Sequence, residues 1–133
     1  MKKTLRFSIL SMLLMLCGTA FADEVTISAA DMQNAATEAT TVNGITFLAE
    51  KNNGSTAPTF TANAGDFRIY AKGTLTVSAE QNITKMVFNI STQGKKRLAP
   101  ITASVGAIAE QAAGDETVTW SGEATGIVLT VGD

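Results

Sequence analysis

Histidine is absent from this chain of 133 residues, and its single cysteine, Cys17, falls within the first 22. Ser–His and Cys–His nucleophiles, imidazole-held metals and an intramolecular disulfide are therefore excluded. Aromatic residues are few, with one tryptophan and one tyrosine, and there are two prolines. Long apolar runs are also missing, except one at the start. Stability must then come from a core of aliphatic side chains.

That one run, "FSILSMLLML", follows Lys2, Lys3 and Arg6 and leads to "AFA" at 20–22. A basic start, an apolar stretch too short for a membrane span and small residues before the cut make an export signal, predicted as a helix over 1–22. The mature chain is predicted to start at Asp23 and to form a single domain over 23–133. A lipid anchor at Cys17 is the one route to membrane attachment, but it needs small residues just before the cysteine, where Met15 and Leu16 stand.

Losing the three leader cations leaves seven Lys and Arg against twelve Asp and Glu, a net charge of −5 over 23–133. An acidic surface repels phosphate backbones, so no nucleic-acid partner is expected.

What the chain has in quantity is threonine, valine and isoleucine in alternation, the pattern of strands with one buried face. Eight short strands are predicted: 24–28, 45–50, 66–71, 74–79, 84–91, 99–105, 116–120 and 126–131. Eight short strands in a chain this size make an all-β sandwich or barrel, not a helical bundle. Asn43-Gly44, Asn53-Gly54, Gly65 and Lys72-Gly73 supply the turns. One departure is "SAADMQNAATEAT", where Ser28 is placed to cap a short helical turn over 31–36. The alternation sends inward Val25, Ile27, Phe47, Phe67, Ile69, Leu75, Val77, Met86, Phe88 and Ile90. Ile101, Val105, Val118, Trp120, Ile127, Leu129 and Val131 complete that set.

The run "KNNGSTAPTF…FRIYAKGTLTVSA…ITKMVFNIS", with the later "VTWSG…VLTV", resembles a recurrent secreted β-domain in cell-surface proteins of anaerobic Gram-negative bacteria of gut and mouth. The resemblance covers most of 42–132. It implies a jelly-roll-like sandwich with no settled activity and carries over no catalytic residue. Similar chains continue past "TVGD" with a further strand, which implies that this chain, ending at Asp133, is a fragment or a sandwich without its last edge strand.

Chemistry is sought among the outward residues. In "FRIYAK", inward Phe67 and Ile69 leave Arg68, Tyr70 and Lys72 on the outer face, an aromatic ring between two cations that suits a sugar ring and its hydroxyls. Lys51, Asn52, Ser55 and Thr56, in the loop before Pro58, have no evident folding role and join them as candidate contacts. Lys95, Lys96 and Arg97 read as a solvated loop. The acids are scattered, with no spacing that makes a calcium loop, and nothing pairs two carboxylates as a glycosidase requires. Trp120, spaced as a strand residue from Val118, reads as a core anchor. The sequence thus predicts a secreted, non-enzymatic module without metal or cofactor. Its expected partner is a carbohydrate or surface glycan; the alternative is a structural or spacer domain that engages another surface protein.

Overall fold

The structure is a computed structural model that describes the backbone of residues 4–7, 12–19 and 21–133, and side chains from Val25 onward. Eleven strands follow in order: β1 (Thr4–Phe7), β2 (Met12–Thr19), β3 (Phe21–Val25), β4 (Thr40–Val42), β5 (Ile45–Glu50), β6 (Thr59–Thr61), β7 (Asp66–Tyr70), β8 (Thr74–Asn89), β9 (Ile101–Ala103), β10 (Ala107–Ile108) and β11 (Thr117–Val131). One short helix, α1 (Thr92–Lys96), lies between β8 and β9. The described pairings are all antiparallel. A three-stranded sheet runs β1-β7-β6, and the other eight strands form a second sheet around β8 and β11. The chain is an all-β sandwich.

β8 and β11 are the spine. Each joins two strands that the sequence divides, because the polar runs at 80–82 and 121–123 look like turns yet remain in the ladder as irregularities. Ser78 pairs Gly126, Ile83 pairs Ala124 and Lys85 pairs Ser121, so extra residues bulge from both strands between these points. Asn82 Nδ2 donates to Glu123 Oε1 across the gap at 3.2 Å. Such bulges bend a strand without ending it.

Turn chemistry follows the residues. Asn43 and Gly44, at φ 50° and 83°, form the two-residue loop joining β4 and β5, a geometry that demands positive φ twice. Ser28 Oγ accepts from the Asp31 amide at 3.1 Å while Asp31 Oδ2 accepts from the Ser28 amide at 3.2 Å, and a 3-10 turn follows at Gln33–Ala36. A helical turn is therefore present within 31–36, but its N-cap position is Met32 with no side-chain cap, and Ser28 closes the turn before it instead.

The core lies between the sheets, where Ile69 of β7 meets Leu75, Phe88, Ile101, Leu129 and Val131. Nearly all of the predicted inward residues are buried. Val25 is half-buried, and Val105 is 40 % exposed. Val105 stands outside β9, and its carbonyl instead accepts Trp120 Nε1 at 2.7 Å. Trp120 itself is fully buried.

The described backbone before Asp23 differs from the expected signal-peptide helix. It is extended, with Thr4 to Phe7 paired along β7 and Met12 to Leu16 along β8. Two sheet edges offer that backbone a ladder, and pairing satisfies its polar groups as fully as helix formation would. The remaining leader residues, the Cys17 side chain and the side chains at the expected cleavage point lie outside what the structure describes. Among the described residues no helix is long and apolar enough to cross a membrane.

Candidate functional site

On β7 the alternation holds: Phe67 and Ile69 are buried, while Arg68 and Tyr70 are half-buried on the other face. Thr59 of β6 sits directly opposite Arg68. Arg68 Nε is enclosed and, among the described residues, has no hydrogen-bond partner. A guanidinium nitrogen in that state leaves a donor unused at some cost.

Lys72 departs from its expected place. β7 ends at Tyr70, and Lys72 takes φ 68°, which removes it from the strand alternation. Its amide donates to the Val131 carbonyl at 2.8 Å, and its ammonium lies 3.8 Å from Asp133 Oδ1. Lys72 therefore belongs to the junction of β7, β8 and β11 more than to the face of Arg68 and Tyr70.

The 51–56 loop does come to this end of β7. The Gly54 amide donates to the Lys51 carbonyl at 2.7 Å and closes a tight turn. Gly54 rests so closely on the Ala71 carbonyl that a Cβ would overlap it. Glycine is needed here for close approach, and the positive φ of the turn falls on Asn52 at 49°, not on Asn53. Lys51, Asn52 and Ser55 are exposed, Thr56 is half-buried, and Pro58 is buried. Gly54 thus lies against Ala71, the residue after Tyr70.

Two broad grooves lie elsewhere. One, of about 620 Å³, runs over β4, β5 and β8 and is lined by Thr41, Thr46, Ser78, Glu80 and Gln81. Thr41 and Thr46 hydroxyls share a 2.8 Å hydrogen bond on its floor. The other, of about 570 Å³, is bounded by Asp66, Asn89, Ser91, Gln93, Lys95 and Glu116. In it Ser91 Oγ caps α1 by accepting from the Gly94 amide at 3.0 Å, and Lys95 Nζ bonds Glu116 Oε1 at 3.2 Å. Sequence reading assigns Lys95 to a loop and scatters Asp66 and Glu116. The one available signal was Ser91 before "TQGKK", a start that suits a helix cap.

Elsewhere, Asp115 Oδ2 accepts from the Ala112 amide at 2.7 Å, so "GDE" closes a turn. Among the described residues no three His, Cys, Asp or Glu side chains converge as metal ligands would. No known protein family, curated protein or solved structure matches the chain.

Proposed function

We propose that this chain is a secreted, non-catalytic β-sandwich module that binds carbohydrate or surface glycan at the outer end of β7. Arg68 and Tyr70 form the floor, and Lys51, Asn52, Ser55 and Thr56 form the rim, with Lys72 at its border. The observation that supports this reading is the seating of Gly54 on Ala71, the residue after Tyr70. A tyrosine ring presents an apolar face to a sugar and a hydroxyl to its edge, and the half-buried Arg68 side chain beside it supplies a cation for a sugar oxygen or uronate. Export, and a place in the periplasm, at the outer-membrane surface or outside the cell, follow from the leader.

A glycan array probed with the exported protein tests the reading. Binding to a defined set of neutral or acidic glycans is the expected result, and an array without reproducible binding would overturn it. A second reading, a structural or protein-interaction module, is favoured by the pairing of leader strands along both sheets.

A further inference from the structure

The far side of β8 is closed by two different strands. Along one side β8 pairs with β11, and on the other its residues 74–79 pair with β5. The remaining stretch, 83–88, pairs with Met12 to Leu16 of β2. Among the described residues no other strand lies along it. Three of its side chains, Ile83, Met86 and Phe88, are in the core.

The strand closing this place is the apolar part of the leader. Cleavage after Ala22 removes β1 and β2 whole and leaves 23–25 without the strand they pair with. The ladder at 83–88 then has an open side, and three core side chains stand at the margin of the sheet. An open edge with apolar side chains beneath it is a template for another strand.

We infer that the processed protein takes up, along 83–88, an extended strand of another polypeptide running antiparallel to β8. The register of β2 gives the chemistry of that donor. Positions opposite Ile83, Met86 and Phe88, filled here by Leu16, Leu14 and Met12, require apolar residues. The position opposite Lys85 accepts an acidic residue, which cross-strand pairing favours. A second copy of this chain fits less well. Lys85 and Ile83 pair with successive residues of β2, Met15 and Leu16, so Thr84 bulges from the edge. A two-fold pairing would set two such bulges against each other.

The inference rests on the export reading, and one experiment separates their failures. The full chain is produced in an exporting host, and the product is examined by intact mass and hydrogen exchange, alone and with a synthetic Met12–Thr19 peptide carrying lysine tails. The expected result is a monomer that begins at Asp23, with those amides in 83–88 that face away from β11 exchanging fast. At peptide near 100 times its Kd they slow by about a hundredfold. Amides at 129 and 130, between β8 and β9, stay protected throughout, and the same peptide with two prolines does not bind. A retained leader overturns the export reading and this inference together. A processed protein in which the 83–88 amides facing away from β11 are protected without peptide, as monomer or dimer, or one that ignores the peptide, overturns this inference alone.

Discussion

Trp120 and Gly54 show how single residues set limits on the fold. The indole is fully buried, donates to the Val105 carbonyl at 2.7 Å and lies against Gly106 and Gly122. Removing it leaves both a large cavity and an unmatched carbonyl, so Trp120→Ala is expected to cost about 3–5 kcal/mol in chemical denaturation. Gly54 offers a contrast with its neighbour. A methyl there meets the Ala71 carbonyl, so Gly54→Ala should cost about 1–3 kcal/mol, whereas exposed Asn53→Ala should stay within about 0.5 kcal/mol. Parallel denaturation midpoints check both, and equal effects would contradict the seating of the loop. The surface ion pair of Lys72 and Asp133, with side chains 54 % and 79 % exposed, is a different case. Such pairs contribute about 0–1 kcal/mol and are screened by salt.

Among the elements, β9 is held in an unexpected way. Gln111 Oε1 accepts from the Ile101 amide at 3.0 Å and its Nε2 donates to the Ile101 carbonyl at 3.3 Å, so one side chain acts as a strand partner. Gln111→Ala is expected to destabilise by about 1–2 kcal/mol and to speed exchange of the Ile101 amide, whereas Gln111→Glu loses the donor alone. Nothing local in the sequence marks this glutamine, because its partner is ten residues away and its role depends on where the loop returns. β5 and the Phe67–Tyr70 part of β7 are legible by contrast: alternation fixed their faces, and Asn43-Gly44 fixed the hairpin before β5, whereas Asp66 is buried against the period. The long strands β8 and β11 are not, since bulged polar residues mimic turns when read one strand at a time. Only their pairing shows that both irregularities coincide. α1 likewise hid behind Gly94 and a run of cations, although Ser91 marked its start.

At the scale of the molecule, the two layers enclose one apolar core, on which stability must rest where no disulfide can form. The candidate site was partly legible. Arg68 and Tyr70 were placed by strand period, but Lys72 was misplaced because its left-handed turn interrupts that period. The nearness of the 51–56 loop depends on a contact between Gly54 and Ala71 that no local pattern announces. The polar groove beside α1 escaped entirely, since it assembles three distant segments. The proposed glycan site has Tyr70 as its floor. Calorimetric titration of the protein and its Tyr70→Ala variant with the strongest array ligand decides whether it is. Binding weakened by about tenfold or more is expected, as losing about 1.4 kcal/mol of contact requires, with the fold intact by hydrogen exchange. Equal affinity in the folded variant would contradict it.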